Sequence, residues 1–205
     1  MVRLAPTDKK PGYDAEAGPS CGRLGEGQVL SAEPYIRGLF YRWSYRESMV
    51  SESEHAPTFT ATLANGDVEE FDFDEHIGEG PVVLAFFPGA FTPPCSNEMV
   101  ALEGHLDEFE AAGATLLGVS ADSAFSLNAF REAEGLSFDL VSDMGREVIQ
   151  AYDLEIDIGE LGLHGVANRA VFVVDDEGAV TYSWTTDDPT VEPDYDELLS
   201  QVEAA

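Results

Sequence analysis

"VVLAFFPGAFTPPCS", residues 82–96, is the most strongly patterned stretch of this chain. Its first six residues are all apolar, which is typical of a strand that is buried on both faces of a sheet. The two prolines that follow, Pro93 and Pro94, suit the first turn of a helix, where a missing N–H group loses no hydrogen bond. The stretch therefore predicts a central strand that ends at Phe87, a short loop, and a helix that opens at Cys95.

Strands and helices alternate on either side of this stretch. "TFTATL" and "VEEFDF" flank "ANGD", and Asn-Gly between two alternating segments predicts a β-hairpin. Downstream, the pattern predicts helices at 97–112, 123–135, 146–154 and 194–204, strands at 115–120 and 138–143, and a second hairpin over 169–186. Because strands that alternate with helices pair in parallel through right-handed crossovers, we expect an α/β fold with a mixed, helix-flanked central sheet of about seven strands.

Cys95 has two interpretations at this position. Free cysteine is among the most buried residue types, so the side chain is either a small inert hydrophobe or a nucleophile. Sites in open α/β sheets lie at the carboxyl ends of the strands, and the free N–H groups and dipole of a helix N-terminus favour a thiolate. Thr92, three residues upstream, can place a hydroxyl beside the sulfur. This setting favours the nucleophile.

The segment from Pro88 to Cys95 resembles the peroxiredoxin signature Pro-x-x-x-Thr/Ser-x-x-Cys of the AhpC/TSA family. Glu98 matches the glutamate that often follows this cysteine by three residues. Arg169, in "NRAVFVVDDEG", matches the family's arginine at the start of a late strand. The resemblance begins near Pro57 and runs to the C-terminus. It implies a thioredoxin-like fold with an N-terminal β-hairpin and an antioxidant thiol peroxidase that reduces hydrogen peroxide and organic hydroperoxides.

The resemblance also implies a role for each site residue. The Cys95 thiolate attacks a peroxide oxygen and becomes a sulfenic acid. The Thr92 hydroxyl binds the thiolate or the peroxide, and the Arg169 guanidinium stabilises the thiolate and the leaving oxygen. Pro88 shapes the pocket and shields the sulfur, and backbone N–H groups from Phe91 onward complete the polar surroundings.

The role of Glu98 and the reductant stay open. Glu98 either supports the site by binding an arginine or lies on a solvated helix face. Residues 49–205 contain one cysteine, which indicates a one-cysteine type that an external thiol or a thioredoxin- or glutaredoxin-like partner reduces. Cys21 is an alternative resolving residue, in cis or across a dimer.

Two other functions are alternatives to the peroxidase. A peroxide sensor or redox relay would use the same Cys95 sulfenic acid to oxidise a partner protein, and the motif does not separate it from the enzyme. A thioredoxin-like disulfide oxidoreductase needs a Cys-x-x-Cys pair. The positions three before and three after Cys95 hold Thr92 and Glu98, which excludes that class.

The charge of the chain is strongly negative. Its 205 residues include 10 basic and 40 acidic side chains, a formal net charge of −30, and residues 49–205 contain no lysine. Such a chain repels nucleic acids and anionic membranes. Near 1 M salt the Debye length is about 3 Å, so the self-repulsion is screened. We therefore expect a salt-requiring protein from a halophile.

Residues 1–48 differ in composition from the rest. They hold 7 of the 10 basic residues and a Gly- and Pro-rich stretch without apolar periodicity, which indicates a disordered extension. Equally, translation starting at Met49 would explain the change in composition. We expect residues 49–205 to form the peroxidase domain.

Further features of the sequence bear on location, partners and cofactors. No signal peptide and no membrane span is apparent, so we expect a cytoplasmic protein. Members of the family often form homodimers, which the resemblance leaves open for this chain. "GELGLHG" (159–165) lacks the spacing of a nucleotide-binding loop and is interpreted as a plain loop. The four histidines lack metal-ligand spacing, and we expect neither a metal nor a cofactor.

Overall fold

The structure is a computed structural model, and it describes residues 50–205. The predictions for residues 1–48, namely a disordered or untranslated extension and a resolving role for Cys21, lie outside the described residues. Within residues 50–205, strands and helices alternate in the predicted order, apart from one broken helix and one additional pair of strands.

A mixed sheet forms the centre of the fold. The described residues form nine strands, β1 (Thr60–Ala64), β2 (Val68–Asp72), β3 (Val82–Phe86), β4 (Thr115–Ser120), β5 (Asp139–Ser142), β6 (Glu155–Ile158), β7 (Leu163–Ala167), β8 (Ala170–Val174) and β9 (Val180–Thr185). Seven of them lie in the order β2-β1-β5-β4-β3-β8-β9, with β3, β4 and β5 parallel and the remaining pairs antiparallel. The predictions of a seven-stranded mixed sheet and an N-terminal hairpin are confirmed.

Strand β3 is the middle of the core because both of its faces are buried. Val83 and Ala85 pack in one apolar layer, and Val82, Leu84 and Phe86 pack in the layer on the opposite face. All five side chains are 2% exposed or less. A buried side chain of the Val, Leu or Phe type stabilises the fold by about 1.5–3 kcal/mol, so the continuous apolar run holds the sheet between its two helical layers.

Helices cover both faces of this sheet. Those of the described residues are α1 (Pro93–Gly104), α2 (Leu106–Ala111), α3 (Ala124–Glu134), α4 (Glu147–Ala151) and α5 (Tyr195–Val202). Apolar side chains of α1, α2, α3 and α5 join the layer that contains Val83, whereas those of α4 join the opposite layer. Helix α3 begins after Ser123, whose hydroxyl accepts the Ser126 N–H, and ends at Gly135 with φ at 72°, as the sequence indicates.

The prediction of one helix over residues 97–112 is wrong. His105 leaves the helical region with φ at −103° and ψ at 2°, and it ends α1 and starts α2. Gly104, just before it, is a weak helix former, so ending the helix here costs little free energy. The His105 ring lies 2.6 Å from Glu108 Oε2 on α2 and stacks on the ring of Tyr195, so one local and one distant contact hold the break in place.

The interpretation of residues 159–165 as a plain loop is also wrong. Strands β6 and β7 form a separate two-stranded antiparallel sheet, and β7 starts at Leu163. A short 3-10 turn, Gly159–Leu161, joins them, and Gly162 closes it with φ at 67°. Ile156 and Ile158 alternate with acidic residues in β6, which is the two-residue period of a half-buried strand. This β6–β7 hairpin lies beside the site described below.

Each arginine of residues 50–205 donates hydrogen bonds to backbone carbonyls. Arg131 Nε donates to Phe138 O at 2.7 Å and thereby ties α3 to the chain before β5. Arg146 Nε donates to Gly165 O at 2.6 Å and ties the start of α4 to β7. Arg169 has the same kind of contact within the candidate site. The cations of the described residues therefore hold internal segments together.

Candidate active site

Cys95 is the third residue of α1 and lies just beyond the carboxyl end of β3. Thr92 is the N-cap residue, and its carbonyl accepts the N–H groups of Cys95 at 3.0 Å and Ser96 at 2.9 Å. Pro93 and Pro94 fill the first two helical positions, where the lack of an N–H group is tolerated. The Cys95 side chain is 1% exposed and points toward Arg169.

The loop between β3 and α1 is held in an unusual conformation. Phe91 has φ at +62°, a region that residues other than glycine seldom adopt. Its ring is 54% exposed and packs edge-on against Phe130, with 5.2 Å between the ring centroids. The Thr92 hydroxyl donates to Gly89 O at 3.0 Å and closes the loop on itself. From the sequence, we expect the Thr92 hydroxyl to bind the thiolate or the peroxide. In the structure, this hydroxyl donates its proton to the Gly89 carbonyl.

Asp122, which the sequence analysis missed, holds the same loop from the neighbouring strand. Its Oδ2 accepts the Ala90 N–H at 2.8 Å and the Ser120 hydroxyl at 3.1 Å. Ser120 ends β4, which lies parallel to β3, so the carboxyl ends of two adjacent strands meet at the loop. The sequence signal that would have found Asp122 is an acidic residue two positions after a buried strand.

Arg169 brings a positive charge to the sulfur from the distant start of β8. The side chain is fully buried, and its Nη2 lies 3.4 Å from Cys95 Sγ. Its Nη1 contacts Glu98 Oε2, and its Nε donates to the carbonyl of Pro189 at 2.8 Å. Three groups therefore bind the three nitrogens of one planar guanidinium, which orients it toward the sulfur.

Glu98 lies one turn after Cys95 on α1 and is fully buried rather than on a solvated helix face. One carboxyl oxygen contacts Arg169, and the other, Oε1, has no hydrogen-bond partner. Burial raises the pKa of Glu98 to about 8, against the opposing effect of the Arg169 charge, and nearby Glu192 adds to the rise. The Arg169 guanidinium contacts this carboxyl as well as the sulfur, so its charge is shared between Glu98 and Cys95.

An apolar pocket of about 530 Å³ opens above the sulfur. The site residues that line it include Pro88, Phe91, Thr92, Cys95 and Arg169. The opposite wall comes from the β6–β7 hairpin and the chain after β9, through Ile158, Glu160, Leu161, Leu163, Pro189 and Thr190. The structure thus brings together all the predicted site residues of the described part of the chain, and adds a wall that the sequence analysis did not foresee.

No group of three or more His, Cys, Asp or Glu side chains within residues 50–205 is placed to hold a metal ion. In the same part of the chain, no helix is long and apolar enough to cross a membrane.

The sequence model of the AhpC/TSA family matches residues 53–183. Peroxiredoxin TSA1 of Saccharomyces cerevisiae is 35% identical over 159 residues, which cover 74% of this chain and 78% of the yeast protein. Alkyl hydroperoxide reductase C of Buchnera aphidicola is 32% identical over 154 residues, which cover 69% of this chain and 73% of that protein. The chain belongs to the AhpC/TSA family of peroxiredoxins.

Solved structures agree with this assignment. The reduced 2-Cys peroxiredoxin of Plasmodium vivax superposes with a TM-score of 0.67 at 28% identity, over 77% of this chain and 81% of that one. The expected thioredoxin-like fold is confirmed, and the protein is a thiol-dependent peroxidase; these relatives do not favour the alternative of a peroxide sensor. Peroxiredoxins act on peroxides, use thioredoxin-type reductants and are often oligomeric.

Proposed function

We propose that Cys95 is the peroxidatic nucleophile of this enzyme and that residues 49–205 form its peroxidase domain. The observation that carries the proposal is the 3.4 Å contact between Arg169 Nη2 and Cys95 Sγ at the start of a helix and the floor of a pocket. A fixed guanidinium beside a sulfur stabilises the thiolate, and the thiolate is the nucleophilic form of cysteine.

The first step of the reaction oxidises Cys95, and a second step, described below, reduces it again. The Cys95 thiolate attacks the terminal oxygen of a hydroperoxide, the S–O bond forms, the O–O bond breaks, and the leaving alkoxide or hydroxide takes up the proton that the thiol released. Cys95–SH and ROOH thus become Cys95–SOH and ROH. Arg169 stabilises the charge that moves from sulfur to the leaving oxygen.

The residues around the sulfur bind and orient the peroxide. Thr92 lines the pocket and keeps two oxygen lone pairs while its proton is donated to Gly89, so it accepts a hydrogen bond from the OOH group of the substrate. Pro88 and Phe91 form the rim of the pocket and exclude water from the thiolate.

The pocket supports organic hydroperoxides as substrates beside hydrogen peroxide. Its volume of about 530 Å³ far exceeds that of a molecule with two oxygen atoms, and most of its lining is apolar. The ring of Phe91 and the side chains of Leu161 and Leu163 face this space and suit an apolar substituent on the peroxide.

The sulfenic acid is reduced by a thiol from outside the domain. Cys95 is the only cysteine of residues 50–205, so a resolving thiol cannot come from this part of the chain. Two thiols of a thioredoxin- or glutaredoxin-like reductant, or of small molecules, return Cys95–SOH to the thiol and release water and a disulfide. We place the protein in the cytoplasm, where such thiols are kept reduced.

Peroxide turnover in molar KCl with candidate reductants tests the proposal. Cys95→Ser is expected to abolish turnover, and Arg169→Ala is expected to slow Cys95 oxidation by about two orders of magnitude, as the loss of one stabilising donor does elsewhere. Arg131→Ala is the matched control, because Arg131 also donates to carbonyls but lies on α3 with Phe138 as its partner. Full turnover in Cys95→Ser contradicts the proposed function.

A further inference from the structure

The chain that follows β9 supplies the third contact of the catalytic arginine. This β9–α5 connector, residues 186–194, presents the carbonyl of Pro189 to Arg169 Nε at 2.8 Å. Pro189 and Thr190 also line the pocket above Cys95. The connector therefore contacts the guanidinium on the edge that neither Glu98 nor the sulfur occupies.

Hydrogen bonds within the connector give it a defined shape. Asp188 Oδ1 accepts the N–H and the hydroxyl of Thr190 at 3.0 and 2.7 Å, and Asp188 O accepts the N–H of Val191 at 3.0 Å. The Thr186 hydroxyl accepts the Asp188 N–H at 3.1 Å. A turn that is closed by its own side chains moves as a unit, so the position of the Pro189 carbonyl depends on where this unit is anchored.

Asn168 anchors it. Its Nδ2 donates to Thr186 O at 2.7 Å, and its Oδ1 accepts the backbone N–H of Arg169 at 2.9 Å. Its own N–H donates to Leu154 O at 2.7 Å, which fixes its main chain as well. Asn168 is buried, so water does not compete for either amide contact. One side chain thus links the residue that carries the guanidinium to the segment that orients it.

We propose that Asn168 is a positioning residue of this peroxidase, which holds the β9–α5 connector in place so that the Pro189 carbonyl directs the Arg169 guanidinium at Cys95. The proposal rests on the proposed function, in which Arg169 activates Cys95. Asn168 touches neither the sulfur nor the pocket and acts only through Arg169.

Asn168→Ala removes both amide contacts and is expected to slow the oxidation of Cys95 by hydrogen peroxide about tenfold. The reason is that it releases the Pro189 carbonyl from the charged Arg169 guanidinium, and a hydrogen bond to a charged group contributes at this level. The chain offers a matched control in Asn128. Its Oδ1 accepts the Gly66 N–H at 2.8 Å and its Nδ2 donates to Asp67 O at 2.6 Å, the same bridging geometry at the turn of the N-terminal hairpin. Asn128 is only half-buried, so Asn128→Ala is expected to lose less stability than Asn168→Ala and to keep the wild-type oxidation rate.

Oxidation is followed in the full chain by quenched flow, with dimedone trapping and mass spectrometry of the peptide that contains Cys95. The same substitutions are made in an Arg169→Lys background, where the planar three-nitrogen fork is absent. There, Asn168→Ala is expected to change the rate by less than about twofold, because the group through which it acts is missing. Asn168→Asp keeps the acceptor but loses the donor to Thr186; it is expected to be slow as well, and it carries the test should Asn168→Ala not fold.

The outcomes separate the two proposals. Equal rates for the Asn168 and Asn128 variants, or a tenfold loss that persists in the Arg169→Lys background, overturn the positioning role alone. An Arg169→Ala variant as fast as the wild type overturns the proposed part of Arg169 in the reaction, and the positioning role falls with it.

Discussion

Glu98→Gln tests the electrostatics of the site most directly, because the substitution keeps the shape of a buried side chain and removes its titration. Burial places the pKa of Glu98 at about 8, compared with 4.5 for an ordinary glutamate. A carboxyl group whose pKa is raised by folding binds more protons in the folded state than in the unfolded state throughout this interval. Its contribution to stability therefore falls as the pH rises from 4.5 to about 8.

The size of the effect follows from the width of the interval. One pH unit corresponds to at most about 1.4 kcal/mol for a single group, so the wild type is expected to lose of the order of 5 kcal/mol relative to Glu98→Gln between the two pKa values. Below pH 4.5 and above pH 8 the difference between the two proteins is expected to be constant.

Urea unfolding at half-unit pH steps in molar KCl measures the difference. Glu110→Gln is the control for the loss of one acidic charge, since Glu110 is exposed on the neighbouring helix α2. Wild-type and Glu98→Gln stabilities that stay parallel from pH 5 to pH 8 would show that burial does not raise the pKa of Glu98, and would refute this reasoning.

Four other changes test separate parts of the molecule. Leu161→Ser, at the exposed tip of the β6–β7 hairpin, is expected to slow oxidation by cumene hydroperoxide about fivefold and to leave hydrogen peroxide unaffected; equal losses for both peroxides count against an apolar subsite. Asp122→Ala is expected to slow both peroxides, and Asp122→Asn, which keeps an acceptor for the Ala90 N–H, is expected to restore the rate; no rescue by asparagine argues against the loop contact. The melting temperature is expected to rise from dilute to molar KCl as salt screens the net charge of −30, and a falling melting temperature contradicts that expectation. Cys21→Ser is expected to change the cross-linking pattern on non-reducing gels after peroxide only if Cys21 resolves Cys95, so an unchanged pattern eliminates the cis or dimeric disulfide.

Local patterns predicted the centre of the fold because few alternatives satisfy them. A run of six apolar residues is typical of a strand that is buried on both faces. Within a helix, prolines such as Pro93 and Pro94 are tolerated only in the first turn. Gly135 and the Asn-Gly turn near Gly66 adopt the positive φ angles that their residue types favour. These features depend on neighbours within a few positions, so the sequence carries them directly.

Other parts depend on contacts between distant segments. The break at His105 is held by contacts with Glu108 and with the ring of Tyr195, ninety residues away in the sequence. The bridging role of Asn168 exists only once Thr186 lies beside it. The alternation of Ile156 and Ile158 in β6 was the one local signal that would have found the second sheet, and the three glycines after it obscured that signal.

The positions of the arginines in residues 50–205 determine how trypsin cleaves this part of the folded protein. Trypsin cleaves after lysine and arginine, and residues 50–205 offer it only Arg131, Arg146 and Arg169. Each of these is bound to internal carbonyls, and none is exposed in the folded chain. Tryptic cleavage of this part of the protein therefore reports on the opening of whole structural elements, because fraying at the surface uncovers no cleavage position. Residues 50–205 contain no lysine, so amine-reactive labelling of lysine side chains cannot report on this part of the chain.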